Sequence, residues 1–345
     1  GLSARTRQKL AIFGAIVALS TALGAGYGAA QSLGGSGGLW IGALQGMLSG
    51  LLISFWCGGA DIFVMSHPRL RGVRALPFLG FVAVRAAVYG VGILIGLRAP
   101  EWLFATVDAP VAPFGDPRFL RLFAASLAVA TAIAFWVEIS RLLGPGVMTS
   151  LITGRYHRPR REDRVFLFAD IEGSTALAER IGDLEFHRFL AAVFGDWAEP
   201  VGAARGETHR YVGDEIIVTW PLRRGITQAR CLACVFAMRA ALEARAGWYH
   251  AQFGIVPKFR AALHCGSVVT GEMGDQRKEI VFLGDTVNTT SRMQAACRDF
   301  DVGLILSGAL ADRLPRDPWF RLRALGAWTP RGKSHEVRLF TADPS

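Results

Sequence analysis

Four long apolar runs, at about 9–30, 39–65, 73–97 and 119–143, constrain this chain more than any other feature of it. A helix needs about 20 consecutive apolar residues to cross the hydrocarbon layer of a bilayer, and each run has that length. Residues 1–143 therefore read as an all-α domain of four membrane spans. The first run has the position of a signal peptide, but its apolar core is long and three similar runs follow it, so it reads as a span.

The loops fix the orientation. Residues 31–38 are uncharged and Gly-rich, and 98–118 carries Glu101, Asp108 and Asp116 with several prolines. Basic residues fall on the other side: Arg5, Arg7 and Lys9, then Arg69, Arg71 and Arg74, then Arg155, Arg158, Arg160, Arg161 and Arg164. Positive charge collects on the cytoplasmic side of spans, which puts both termini there. The expectation is a multi-pass inner-membrane protein with its soluble part in the cytoplasm. Much of the formal charge of +10 is used in this way and faces anionic membrane lipid. No basic stripe interleaved with aromatics is present, so nucleic acid is not an expected partner.

Asp61, Arg85 and Glu138 lie inside the spans, where charge is costly. One reading is a buried ion pair or a site for an unidentified ligand of the membrane domain; the other is helix–helix glue with snorkelling side chains. Gly24 and Gly26, and Gly42, Gly46 and Gly50, suit close helix packing.

Residues 144–163 read as a connector. They begin with Gly144, Pro145 and Gly146, which should end or bend the fourth helix. Residues 155–345 have the mixed polarity of a soluble part of the chain, within which 164–345 is the expected folded domain. The five cysteines give no disulfide framework, and Cys231 and Cys234, one helical turn apart, have no second ligand pair for a metal. They read as buried thiols.

The soluble half opens with a short β-prone run ending at Asp170, followed by Gly173, Ser174 and Thr175 and a helical pattern. Ser174 or Thr175 is positioned to cap that helix, whose free N–H groups and dipole favour a phosphate. An ordinary strand, turn and helix with a solvated Asp is the plainer alternative. Residues 176–204 keep helical spacing throughout. Residues 208–220 read as two strands joined at Gly213 and Asp214, a tight hairpin whose tip can return beside Asp170. Two carboxylates there suit Mg²⁺ on a triphosphate; alternatively, Asp214 serves only its turn. A helix over 228–246, strand-like stretches at 258–266 and 267–274, and a strand at 280–285 follow. The last leads into a helix that carries Asn288 and Arg292 at i and i+4, hence on one face, suited to a sugar oxygen and a phosphate. Arg331, Gly332 and Lys333 precede a final strand at 336–341.

Together these residues resemble the catalytic domain of the class III adenylyl and guanylyl cyclases. The resemblance spans about 163–342 and rests on five motifs in order. They are Phe168-Ala169-Asp170-Ile171 with Gly173-Ser174-Thr175, Val212-Gly213-Asp214-Glu215, His264-Cys265-Gly266, Gly284-Asp285-Thr286-Val287-Asn288 with Ser291-Arg292, and Arg331-Gly332-Lys333. It implies an α+β ferredoxin-like domain acting as a head-to-tail homodimer with its active sites at the interface, a lyase that converts ATP to 3′,5′-cyclic AMP. Asp170, Asp214 and the Ile171 carbonyl would hold two Mg²⁺, for which Mn²⁺ can substitute. Gly173, Ser174 and Thr175 would hold the terminal phosphates, and Lys333 with Arg331 would touch them. Asn288 and Arg292 would come from the other subunit to orient the ribose and stabilise the transition state.

The chain departs from the family at the base end. Arg210 stands where adenylyl cyclases usually have Lys, and Val281 where they have Asp or Thr; Lys278 or Glu279 is placed to substitute. A guanylyl cyclase, or a non-catalytic receptor or scaffold that keeps the fold, are the alternatives to an adenylyl cyclase.

Overall fold

The computed structural model describes residues 4–33, 38–64, 76–105, 111, 113–143, 154–275, 278–316, 319–330, 332 and 336–345. Contacts divide it into two units, Gly1–Leu142 and Leu143–Ser345.

The first unit contains helices α1 (Ala4–Ser32), α2 (Leu39–Gly59), α3 (Phe78–Leu103) and α4 (Pro117–Leu143). Each is long and apolar enough to cross a membrane. α3 is shifted from the expected 73–97. Pro77 occupies its N-cap, and the charge of Arg98 does not end it. The Arg98 guanidinium lies 4.5 Å and 3.5 Å from the ring centroids of Phe114 and Phe119, and it donates to Glu101 at 2.6 Å. Helices α1 and α2 touch through backbone. A Cβ added to Gly46 would fall 2.0 Å from the Gly24 carbonyl oxygen, and one on Gly28 would fall 1.9 Å from that of Gly42.

A π-helical turn, Ala60–Val64, extends α2 and carries Asp61. Arg85 of α3, 2% exposed, donates to Asp61 at 2.5 Å and to Glu138 of α4 at 3.3 Å, and the Tyr89 hydroxyl donates to Asp61 at 2.6 Å. Asp61, Arg85 and Glu138 thus form one ion-pair cluster joining three helices, with Arg85 buried and the two carboxylates half-buried.

In the second unit, eight strands among the described residues form one sheet in the order β2-β3-β1-β4-β6-β8-β7, with β5 paired to β4. The strands are β1 (Arg160–Ile171), β2 (Glu207–Val212), β3 (Glu215–Pro221), β4 (Phe259–Met273), β5 (Glu279–Leu283), β6 (Leu304–Ser307), β7 (Phe320–Trp328) and β8 (Val337–Pro344). The longer helices are α5 (Ser174–Ile181), α6 (Asp183–Ala203), α7 (Arg230–Glu243), α8 (Ala246–Phe253) and α9 (Asp285–Ala296). All pairings are antiparallel except β4 with β6.

β1 shows why the sheet is covered on both sides. Successive side chains of a strand alternate between faces. Val165, Leu167, Ala169 and Ile171 enter the main core with Phe189, Trp197, Trp220 and Tyr249, while Phe166 and Phe168 pack with Val268 on the opposite face. β1 starts at Arg160, within the segment read as connector.

The structure corrects several expectations. Residues 176–204 are not one helix: Gly182, at φ +81°, separates α5 from α6. The stretches at 258–266 and 267–274 are one continuous strand. β6, β7 and α8 had no distinct signal. Arg164, grouped by sequence with a basic surface run, is interior and 2% exposed. It donates to Thr219 at 3.0 Å and Glu162 at 3.1 Å, pairs with Glu207, and lies 4.7 Å from the Phe282 ring centroid.

Candidate active site

β1 leaves the core carrying Asp170, whose register partners are Glu215 on β3 and Arg260 on β4. The β2–β3 connection is the two residues Gly213 and Asp214, between the paired Val212 and Glu215. Gly213 has φ +61°, which so short a hairpin requires and a side chain resists. The hairpin thereby brings Asp214 near Asp170, close enough for each carboxyl group to act on the other. Burial and the facing Asp214 push Asp170 up to about 6. Burial and the charges of Asp170 and Asp214 likewise push Glu215 up to about 7.

Two neighbouring carboxylates are hard oxygen donors whose repulsion a divalent cation would relieve, and this donor pair fits such an ion, although among the described residues no three His, Cys, Asp or Glu side chains gather into a group that could hold one. Ile171 is 2% exposed with its side chain in the core, so its carbonyl is what it has to offer a ligand.

Gly173, at φ +69°, is the N-cap of α5, and no side chain caps the helix. The expected capping by Ser174 or Thr175 is therefore corrected: both are helical residues. The first helical bond runs from Leu177 N to Gly173 O at 3.0 Å, so the amides of Ser174 and Thr175 precede it. Free amides at a helix start are where an anion binds.

Gly266 and Gly284 seat α9. A Cβ on Gly266 would meet Thr286 Oγ1 at 2.5 Å, and the Thr286 hydroxyl donates to Ser267 O at 2.9 Å. Thr286, Thr289, Thr290 and Met293 form the buried side of the helix. Asn288 is exposed and Arg292 half-buried, and at about 100° per residue they lie together on another side. The α9 groups that act on Asp170 are different ones: Gln294 and, just past the helix, Arg298 both favour its charged form. Glu215, Gln294 and Arg298 were not singled out from sequence. The hairpin register could have given Glu215; the other two depend on how α9 lies on the sheet.

At the far end, β5 approaches β2. Phe282 packs on Phe166 and on the ring of His209, at centroid distances of 5.4 and 4.9 Å. Next to this contact Arg210 forms an ion pair with Glu279. Val281 is half-buried opposite Gly271, and Lys278 lies 3.9 Å from Glu272. Arg331 and Lys333 lie outside the described residues.

Residues 157–340 match the adenylate and guanylate cyclase catalytic domain. Adenylate cyclase 2 of Rhizobium meliloti (strain 1021) is 33% identical over 328 residues, 94% of this chain and 89% of that protein. Adenylate cyclase 1 of the same organism is 26% identical over 185 residues, 52% of this chain and 27% of that protein. The solved structure of a bacterial light-regulated adenylyl cyclase superposes with a TM-score of 0.56 at 17% identity, covering 68% of each chain, which is a likeness of fold. With its hairpin-borne carboxylates, its glycine-seated α9 and these relatives, the chain belongs to the adenylate and guanylate cyclase catalytic domain family, preceded by four helices of membrane-spanning length.

Proposed function

We propose that the protein is a membrane-anchored adenylyl cyclase that converts ATP to 3′,5′-cyclic AMP and pyrophosphate in sites shared by two copies of the chain. In this reaction the ribose 3′-oxygen bonds to the α-phosphorus, the bond from that phosphorus to the β-phosphate oxygen breaks, and the 3′-hydroxyl proton is lost. Asp170, Asp214 and the Ile171 carbonyl would hold divalent cations, Mg²⁺ or Mn²⁺. When bound, such ions supply activation of the 3′-hydroxyl and neutralise charge on the triphosphate. The amides of Gly173, Ser174 and Thr175 bind the β- and γ-phosphates at the start of α5. Arg292 stabilises charge that develops on the α-phosphate, and Asn288 orients the ribose. Lys333 and Arg331 contact the terminal phosphates. The catalytic domain and both termini are cytoplasmic.

The closeness of Asp170 and Asp214 carries this reading, because two carboxylates near the start of α5 support a cation held beside a bound phosphate. The direction of α9 supports a shared site: it offers Asp170 of its own chain Gln294 and Arg298, while Asn288 and Arg292 lie on another side, free to serve a second copy.

The test is the full-length protein in detergent, given ATP or GTP with Mg²⁺ or Mn²⁺, with cyclic product measured. Cyclic AMP is expected, and Asp170→Ala and Asp214→Ala should each lower the rate by about 100-fold or more. Product from neither nucleotide would overturn the enzyme reading, and cyclic GMP alone would replace it with a guanylyl cyclase.

A further inference from the structure

Arg164 is a buried charge that the reaction described above does not use. Resting on that reading, we infer that Arg164 is a positioning residue: by gripping the base of the β2–β3 hairpin it sets where the tip carries Asp214, and with it how tightly the carboxylates hold a divalent cation. Alternate residues of a strand share a face, so Arg164, Phe166, Phe168 and Asp170 form one row on β1. Arg164 stands at one end of the row and Asp170 at the other. The guanidinium uses each of its nitrogens: Nε donates to Thr219 on β3 at 3.0 Å, Nη1 to Glu162 on β1 at 3.1 Å, and Nη2 to Glu207 on β2. Glu207 and Thr219 are register partners, so Arg164 holds both strands of the hairpin at once. Thr270 of β4 donates to the same Glu162 oxygen at 2.6 Å, which fixes that carboxylate in turn.

The hairpin needs such a hold. β2 is the outermost strand on its side of the sheet, with β3 as its strand neighbour among the described residues. Its register with β3 shifts between Thr208 and Arg210, which leaves His209 as an extra residue, and a bulge of this kind bends a strand. The bulge lies between the base at Glu207 and the tip at Asp214, so it re-aims the tip. Arg164 reaches the bulge through one ring: Phe282 lies 4.7 Å from the Arg164 guanidinium and 4.9 Å from the His209 ring. The ring of Phe194 on α6 adds a contact to Tyr211 of β2, at 4.7 Å, which is less directional than an ion pair. A buried ion pair gains little stability over well-packed hydrocarbon. What Arg164 has over Phe166 and Phe168, its neighbours in the row, is a planar fork that takes its partners in fixed directions.

The test uses the full-length protein and reads cation binding directly as well as activity. Arg164→Met combined with Glu207→Gln should raise the Mg²⁺ concentration for half-maximal activity roughly 10-fold, the low end of what a residue that orients a metal ligand is worth. Mn²⁺ binding without nucleotide, followed by electron paramagnetic resonance, should weaken by a similar factor, while kcat at saturating Mg²⁺ changes less. Backbone amides of 207–221 should exchange hydrogen faster than in the wild type, and those of α9 should not. Arg245→Met breaks the ion pair with Asp196 at 2.5 Å, away from the hairpin, and should leave the Mg²⁺ requirement unchanged. A folded double variant with wild-type Mg²⁺ and Mn²⁺ dependence would overturn the inference. So would an equal shift in Arg245→Met, since loss of stability alone would then be the cause. Where the double variant does not fold, Arg164→Lys, which keeps the charge and loses the fork, decides on the same measurements: a smaller shift in the same direction supports the inference and no shift overturns it. A wild type that binds Mn²⁺ but makes no cyclic product removes the nucleotide reading, and the Mn²⁺ comparison still decides this inference. A wild type that does neither overturns the cation site and this inference with it.

Discussion

His209 is held against Phe282 on β2, and burial together with the charges of Arg210 and Arg164 pushes its pKa down to about 4. The unfolded chain takes up this proton near pH 6.5, its ordinary value, and the folded chain only near 4. The stability that the neutral ring contributes is therefore full above 6.5, falls as the pH drops from 6.5 to 4, and falls no further below. At about 1.4 kcal/mol per pKa unit, reduced for partial solvation, the loss is roughly 2 kcal/mol. Unfolding of the wild type and of His209→Gln, measured across this window, should show a flatter pH slope in the variant; parallel slopes would contradict the assignment. At this scale the sequence told as much as local chemistry can. Asp170 and Asp214 were legible because a strand end and a two-residue turn fix where each points. Arg164 was not, since nothing local distinguishes it from Arg160 and Arg161. It is interior only because Glu162, Glu207 and Thr219 converge on it from neighbouring strands.

Helices α1 and α2 are packed so closely that side chains are excluded from part of their contact. Gly46→Ala would press a methyl group against the Gly24 carbonyl, while Gly26→Ala meets open space. Overpacking of this kind costs about 1–3 kcal/mol, so Gly46→Ala should lower the melting temperature in detergent and Gly26→Ala should not. The Arg85 cluster makes a second prediction about how elements are joined. Arg85→Gln would remove the buried cation from two half-buried carboxylates, a loss below the roughly 3–5 kcal/mol of a fully buried broken pair. Adding Asp61→Asn and Glu138→Gln to Arg85→Gln should recover much of the lost thermal stability, and a triple variant no more stable than the single one would show that the ion pairs are not what Arg85 supplies. The spans were legible because length and apolarity alone decide them. The break at Gly182 was not, because the apolar spacing that belongs to α5 and to α6 runs on across it, and only a backbone at positive φ ends the helix.

For the whole molecule the decisive question is whether one chain contains a complete site. The amides at the start of α5 and the Asp170–Asp214 pair belong together, but α9 presents Gln294 and Arg298 to that pair and carries Asn288 and Arg292 on a different side. A symmetric two-fold dimer uses each surface twice, so each of its two sites would join the carboxylates of one copy to Asn288 and Arg292 of the other. Chains bearing Asp170→Ala and chains bearing Arg292→Ala should then each be nearly inactive alone. In a heterodimer both lesions fall in one site and the second site is intact. Coexpressed in equal amounts and paired at random, half of the dimers would be mixed, each with one working site, and activity should return to about a quarter of the wild-type level. Four membrane helices on each copy would raise the effective concentration of the partner domain, so this recovery should persist when the coexpressed protein is diluted in vesicles. No recovery, with both variants folded and associated, would place Arg292 in the same site as Asp170 of its own chain.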